Sequence, residues 1–97
     1  MAALELIGYT QKETKDLISQ ISLLLDNLEF AKDVVWITHD AFVTVVDFKG
    51  VKKPFLRIYT RSQDRANVLI THINFLCSIE VIYIGISVLK EKVLIFK

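Results

Sequence analysis

Side chains that could do acid-base or metal chemistry are few in this chain and lie far apart. The two histidines are His39, which precedes Asp40 after an apolar run, and His72, which lies in a stretch with helical spacing. Neither has a cysteine or a carboxylate at the spacing that zinc sites use, so we predict no metal site. His72 falls on the polar side of its predicted helix. His39 follows a strand, and Asp40 beside it is a typical turn residue. Structural roles are therefore favoured for both histidines.

Two arginines, Arg57 and Arg61, stand just before a predicted helix start. Guanidinium groups next to free helix N-terminal amides can hold a phosphate or a carboxylate. In the other interpretation, Arg57 pairs with Glu5 and Arg61 lies at the surface. We favour the ion pair and keep both arginines as candidate ligand-binding residues.

No covalent or cofactor chemistry is indicated. The chain has no G-x-S-x-G motif, and its 3 glycines are too few to build a phosphate-binding loop. Cys77 is the only cysteine and lies in an apolar run, which favours a buried thiol in a reducing compartment. We therefore predict no cofactor and a cytoplasmic location.

Composition narrows the class of protein further. The 97 residues predict one domain, 1–97, and 53% of them are apolar, a high share for so small a body. This excess predicts a homo-oligomer that buries apolar surface between subunits. The net charge of +1 comes without a basic stripe, so we predict no nucleic-acid partner. No apolar run reaches the length that spans a bilayer, and no signal peptide is apparent, so we predict no membrane association.

The elements that must position these side chains occur twice. At an offset of 52 positions, the run Leu17-Ile18-Ser19-Gln20-Ile21-Ser22 matches Leu69-Ile70-Thr71-His72-Ile73-Asn74, and Leu4-Glu5-Leu6 matches Leu56-Arg57-Ile58. Each copy reads as strand, helix and strand, which predicts two β-α-β units at 2–40 and 54–88. An inserted hairpin arm, 41–53, lies between them, with a turn at Lys49-Gly50, and an edge strand, 93–96, ends the chain.

Local signals place the helices. Thr10-Gln11-Lys12-Glu13 has the form of a capping box, and Ser62 is the predicted N-cap of the second helix. Apolar residues then recur every three or four positions, from Leu17 to Leu28 and from Leu69 to Cys77.

We therefore predict an α+β fold in which two helices cover one face of a sheet with pseudo-twofold symmetry. Strand alternation puts four residues under the helices and four on the opposite face. The first set is Leu4, Leu6, Leu56 and Ile58, and the second is Glu5, Ile7, Arg57 and Tyr59. The sequence leaves two strand orders open: one in which each unit's strands are direct neighbours, and one in which they are split as in a ferredoxin-like sheet.

This arrangement resembles the tautomerase superfamily, which includes 4-oxalocrotonate tautomerase and macrophage migration inhibitory factor. The run from Gln11 to Ile18 looks like the first helix of the oxalocrotonate enzymes, and Val34-Val35-Trp36-Ile37-Thr38 resembles the strand that follows it. Pro54-Phe55-Leu56, with a helix opening near Arg61-Ser62, is similar to the second half of longer members. The resemblance implies the fold and a trimer.

The chemistry that the resemblance implies depends on an N-terminal proline acting as a general base. Ala2 stands in its place and, after removal of Met1, would offer a primary amine without the proline ring. We therefore expect the ordinary activity to be lost or altered. Because parallel strands start side by side, Lys32 and Asp33 are expected near Ala2, with Lys32 binding a small carboxylate ligand. The alternative is a non-enzymatic, ferredoxin-like module that recruits a protein partner.

Overall fold

The order strand, helix, strand occurs twice along the chain in a computed structural model that describes residues 2–39 and 44–84. In chain order the elements are β1 (Ala2–Ile7), α1 (Gln11–Leu25), a short 3-10 helix (Ala31–Asp33), β2 (Val34–Ile37), β3 (Phe55–Thr60), α2 (Gln63–Ile73) and β4 (Ile79–Tyr83). The predicted strand 93–96 lies outside the described residues, as do 85–88 at the end of the second unit, residue 40 at the end of the first and 41–43 at the start of the arm.

The sheet has the strand order β2-β1-β3-β4. Each unit's two strands are direct parallel neighbours, β1 with β2 and β3 with β4, and the units meet where β1 runs antiparallel to β3. This order decides between the two arrangements that the sequence left open, because the strands of a split ferredoxin-like unit would not be neighbours. The predicted fold class, two β-α-β units with both helices on one face, is confirmed.

The two units are related by a local twofold axis at the centre of the sheet. Leu4 lies opposite Ile58 and Leu6 opposite Leu56 in the ladder between β1 and β3. Glu5 lies directly opposite Arg57, and these two residues are also separated by the 52 positions of the repeat. The axis therefore passes through this pair.

Both helices begin where the sequence predicts. The Thr10 hydroxyl accepts a hydrogen bond from the Glu13 amide at 3.1 Å, and the Glu13 carboxylate accepts one from the Thr10 amide at 2.9 Å. In the second unit, the Ser62 hydroxyl accepts from the amide of Arg65 at 3.2 Å. The side chains thus satisfy amides that a helix start leaves free, reciprocally in α1 and singly in α2.

The core lies between the helices and the sheet. Three pairs of its buried residues occupy matching positions in the two units, and in one of these pairs Ile21 in α1 corresponds to Ile73 in α2, both fully buried. The four strand residues predicted under the helices are all buried as well. Each large apolar side chain buried in this way contributes roughly 1.5–3 kcal/mol. The whole set is Ala2, Leu4, Leu6, Ile21, Leu25, Leu56, Ile58, Ala66, Leu69 and Ile73.

The second helix is shorter than its apolar run predicts. It ends at Ile73 with Asn74 as its C-cap, so Cys77 lies in the connection to β4 and is half-buried. The reason is topological, because β4 must pair with β3 from Ile79 onward and the chain has to turn before that point. Cys77 still packs against the core, as expected for a thiol in an apolar run.

The described residues of the inserted arm, 44–53, form a tight hairpin turn whose two sides are joined by an isolated bridge. Val46 pairs with Lys52 in one antiparallel bridge, and the Asp47 carboxylate accepts hydrogen bonds from the amides of Lys49 and Val51 at 2.9 and 3.0 Å. Gly50 has a φ of 86°, in the region that favours glycine. The predicted turn at Lys49-Gly50 is therefore present, and among the described residues before it, 44–48, only Val46 takes part in a bridge.

Candidate functional site

One end of the sheet brings together most of the residues that the sequence singled out. Ala2 is paired with Val34 of β2 on one side and with Thr60 of β3 on the other. Lys32 and Asp33 immediately precede Val34, and Arg61 immediately follows Thr60. The strand register therefore carries Lys32, Asp33 and Arg61 to the same end of the sheet as Ala2.

A cleft opens at this end between α1, the 3-10 helix and β2. Its volume is about 410 Å³, within the range of small-molecule sites. Leu25 and Leu28 form one apolar part of the wall and Trp36 another, while Lys32 supplies an ammonium group and Asp26 a carboxylate. The full lining is Ser22, Leu25, Asp26, Leu28, Ala31, Lys32, Val34 and Trp36. Lys32 is exposed and forms no ion pair with any carboxylate in residues 2–39 and 44–84.

The remaining predicted site residues are placed differently. Ala2 is only 1% exposed and does not line the cleft, although its neighbour Val34 does. Asp33 and Arg61 are exposed. Arg57 lies in the middle of β3, on the face of the sheet turned away from the helices, so the fold separates it from Ala2 and Lys32.

That face, called here the open face, consists of alternate residues of all four strands. They are Ala3, Glu5, Ile7, Val35, Ile37, Phe55, Arg57, Tyr59, Glu80 and Ile82. Most are apolar, and Val35 and Ile37 are 46% and 37% exposed in the single chain. A surface of this kind on a small domain is typical of a protein interface.

A polar cluster occupies the centre of the open face and consists of Glu5, His39, Arg57, Tyr59 and Glu80. The Glu5 carboxylate accepts a hydrogen bond from His39 Nε2 at 2.6 Å on one oxygen and from the Tyr59 hydroxyl at 2.7 Å on the other. Arg57 Nη1 lies 3.6 Å from the same carboxylate. Arg57 Nε donates to Glu80 at 2.5 Å, so the guanidinium bridges the two carboxylates.

The contacts within the polar cluster shift the pKa values of its members. Burial alone would raise the pKa of Glu5, but the hydrogen bonds from Tyr59 and His39 and the charges of His39 and Arg57 outweigh it, so the pKa is lowered. Burial raises the pKa of the Tyr59 hydroxyl, and its hydrogen bond to Glu5 acts in the same direction. Hydrogen bonds to Tyr59 and Glu80 raise the pKa of Arg57. Glu5 is therefore held as a carboxylate although its side chain is only 11% exposed.

Sequence reasoning anticipated part of this cluster. The Glu5 and Arg57 pair is present as the favoured interpretation has it, but the contact from His39 to Glu5 was missed. The pairing of Glu5 with Ile37 puts His39, two residues further on, on the same face of the sheet. The available signal was Glu5 itself, a lone charge in an otherwise apolar strand.

The described residues contain neither a cluster of metal ligands nor a membrane-spanning helix. Within 2–39 and 44–84, no group of three or more His, Cys, Asp or Glu side chains is placed to hold a metal ion. Neither helix in the same ranges has the length and apolar character that crossing a bilayer requires.

Comparison with known proteins places this geometry in a fold class. A solved structure of a member of the cis-3-chloroacrylic acid dehalogenase (cis-CaaD) family superposes with a TM-score of 0.51 over 86% of this chain and 75% of that one, at 12% identity. A domain of unknown function (DUF1904) from Sebaldella termitidis ATCC 33386 gives a TM-score of 0.47 over 89% of each chain, also at 12% identity. No family model and no curated protein matches the chain.

The fold-level resemblance to the tautomerase superfamily is confirmed by the first of these structures, because the cis-CaaD family belongs to that superfamily. At this identity the likeness is one of fold.

Proposed function

We propose that this chain is a tautomerase-like protein that binds a small carboxylate-bearing ligand in the cleft beside Lys32 and lacks ordinary proline-dependent activity. One observation carries the proposal: Lys32, which has no ion-pair partner in the described residues, lines a cleft whose walls are partly apolar. That cleft lies at the sheet end where β1 begins, on a fold shared with a tautomerase-superfamily structure.

The lining suggests how such a ligand would bind. Lys32 would hold the carboxylate, while Leu25 and Trp36 would contact an apolar body of a few carbons. Asp26 lines the same cleft and would repel a second negative charge, which favours a monocarboxylate. Arg61, at the same end of the sheet, and Asp33, beside Lys32, are the further candidates for ligand contact.

The expected loss of ordinary activity follows from Ala2. A primary amine at that position could accept a proton if Met1 is removed, but it would lack the fixed geometry of a proline ring. We expect little or no ketonisation of phenylenolpyruvate by the purified protein. Robust turnover that is abolished in Lys32→Ala would instead show an active enzyme and refute this part of the proposal.

Binding can be read from the chain's single tryptophan, because Trp36 lines the cleft. Phenylacetate is the probe, and neutral phenylacetamide is its uncharged control. We expect phenylacetate to change Trp36 emission and Lys32→Ala to weaken its binding about tenfold or more, because an ion pair is removed. Lys15→Ala, an exposed lysine of α1 outside the cleft, is the matched control and should leave binding unchanged.

Equal affinity of the native protein and Lys32→Ala for phenylacetate would refute the assigned role of Lys32. Equal affinity for phenylacetate and phenylacetamide would show that the cleft does not recognise the carboxylate.

We also propose that copies of the chain associate through the open face, with a trimer favoured by the resemblance. The exposed Val35 and Ile37 support association, since covering a few hundred Å² of apolar surface is worth several kcal/mol at about 25 cal/mol per Å² before association entropy. Sedimentation velocity should show an oligomer at micromolar concentration that Val35→Asp disrupts. Leu23→Asp, at a residue of α1 that is 78% exposed, is the control. A native monomer at this concentration would contradict the proposal.

The same surface favours a second candidate function, a non-enzymatic assembly module that recruits a protein partner. An oligomer that binds no small carboxylate but retains a stable protein partner would support this function. The observed strand order excludes a ferredoxin-like sheet but not a binding module as such. We further propose that residues 1–97 form one domain and that the protein acts in the cytoplasm.

A further inference from the structure

We infer that the polar cluster makes assembly through the open face pH-sensitive. The open face binds a second copy more tightly when His39 is protonated. This inference rests on the proposed association through that face. It stands on three features of the cluster, namely its place at the centre of the face, the burial of Glu5 within it and its unbalanced charge.

The position of Glu5 makes it part of any contact across the open face. It lies on the local axis at the middle of β1, between Ile37 of β2 and Arg57 of β3 in the ladder. His39 reaches it from beyond the end of β2, and the His39 side chain is still 35% exposed in the single chain. A second copy that covers the face would therefore remove water from both groups.

The charges in the cluster do not cancel when His39 is neutral. Glu5 on β1 and Glu80 on β4 carry two negative charges, and Arg57 on β3 carries one positive charge. Tyr59 is uncharged, and these are the titratable groups of the described residues that face His39 through the cluster. The net charge is therefore −1 with neutral His39 and zero with protonated His39.

Covering the face makes this imbalance costly. Removing water weakens the screening of a net charge, and copies of the same cluster brought together would repel each other. A proton on His39 abolishes the net charge and strengthens its 2.6 Å contact with Glu5. Burial of the imidazole alone would favour the neutral form, but His39 keeps a carboxylate partner and only part of its surface is lost.

The sign of the effect follows by linkage. The assembled protein holds more protons on His39 than the single chain, so the association constant rises as pH falls through the range in which histidine titrates. The lowered pKa of Glu5 keeps the carboxylate charged in mildly acidic solution, so the partner of His39 persists there.

The experiment is sedimentation velocity of the full chain at pH 5.5 and pH 8.0. We expect the native dissociation constant to be about tenfold or more higher at pH 8.0, since one proton per subunit is worth up to a factor of ten per pH unit. His39→Gln keeps an N–H donor but cannot titrate, and it should bring the two constants to within about twofold. His72→Gln is the matched control, because the hydrogen bond of His72 goes to the Val68 carbonyl of its own helix, away from the polar cluster, and the variant should preserve the native pH response.

A second variant tests the charge balance and does not depend on His39→Gln folding well. In Glu5→Gln, the cluster is neutral with neutral His39 and carries +1 with protonated His39, so the pH dependence should reverse in sign. An oligomer whose constant is the same at both pH values, or an unchanged pH response in His39→Gln, would overturn the inference while leaving the assembly intact. A monomer under all conditions would refute the proposed assembly itself.

Discussion

The two β-α-β units have similar buried residues and helix starts, but they differ in the connections between helix and second strand. Ile21 and Ile73 fill the same place, both helices have a hydroxyl residue as N-cap, and both first strands bury the same alternate positions. These are the positions at which two units must pack side by side on one sheet.

The connections from helix to second strand differ most. The first unit takes residues 26–33 and a 3-10 helix to reach β2, whereas the second takes only 74–78 to reach β4. A cleft lies at each connection, but the second is lined by no charged side chain of the described residues. The repeat therefore accounts for the scaffold, while the candidate ligand site depends on the 3-10 helix, which among the described residues is present in the first unit alone.

The largest expected effect comes from the matched core residues. Ile21→Ala and Ile73→Ala should each lower the free energy of unfolding by about 2–5 kcal/mol, because both remove a fully buried side chain. Urea denaturation measures this loss. Leu23→Ala, at a largely exposed residue of α1, is the control and should change stability by less than about 0.5 kcal/mol. A large loss at only one of the two isoleucines would break the equivalence of the units.

The junction between first strand and helix offers a sharper contrast, because Gly8 in the first unit corresponds to Thr60 in the second. Gly8 has a φ of 87°, and an added Cβ would lie 3.1 Å from Val45 and 3.2 Å from Pro54. Gly8→Ala should therefore cost about 1–2 kcal/mol for the backbone conformation and more for these contacts.

Gly50→Ala is the matched control for Gly8. Its φ is 86°, but an added Cβ would meet nothing within 4 Å. Thermal denaturation should show a larger loss for Gly8→Ala than for Gly50→Ala. Equal losses would mean that backbone conformation alone matters at the junction.

A smaller difference is expected between the two N-caps. Thr10→Ala and Ser62→Ala should each cost about 1 kcal/mol, with the larger loss at Thr10, since only its helix has the reciprocal bond from Glu13. Urea denaturation at neutral pH measures both. Ser19→Ala, at an exposed position within α1, is the control. A larger loss at Ser62 would show that the second helix start contributes more than its single bond suggests.

The smallest expected effect is on the pH dependence of stability. Burial raises the pKa of Glu5 and so opposes the hydrogen bonds that lower it. The pKa of Glu5 is lowered in the fold from an ordinary value of 4.5. Its contribution to stability is therefore present above that value and is lost as pH falls through the lower folded pKa. Glu5→Gln should reduce the loss of stability between pH 7 and pH 3, whereas exposed Glu29→Gln should not. An unchanged pH profile in Glu5→Gln would contradict the pKa direction.

Much of the scaffold could be predicted from the sequence, because the repeat, the caps and the alternation of apolar residues are local signals. The end of α2 could not, since the apolar run continues to Cys77 and only the pairing of β4 with β3 forces the earlier turn. For the candidate site, the neighbourhood of Ala2 and Lys32 followed from parallel strands starting together. The contact between His39 and Glu5 did not, because it depends on the exact register of two strands that are far apart in sequence.

The pair at the local axis has a consequence for how such a molecule can be built. If two separate, identical chains met in this way, whatever residue stood on the axis would face its own twin, and a charged residue there would repel itself. A single polypeptide that carries both halves escapes that restriction and can set Glu5 against Arg57. The covalent link between the halves thus permits an attractive contact at the one place where perfect symmetry forbids it.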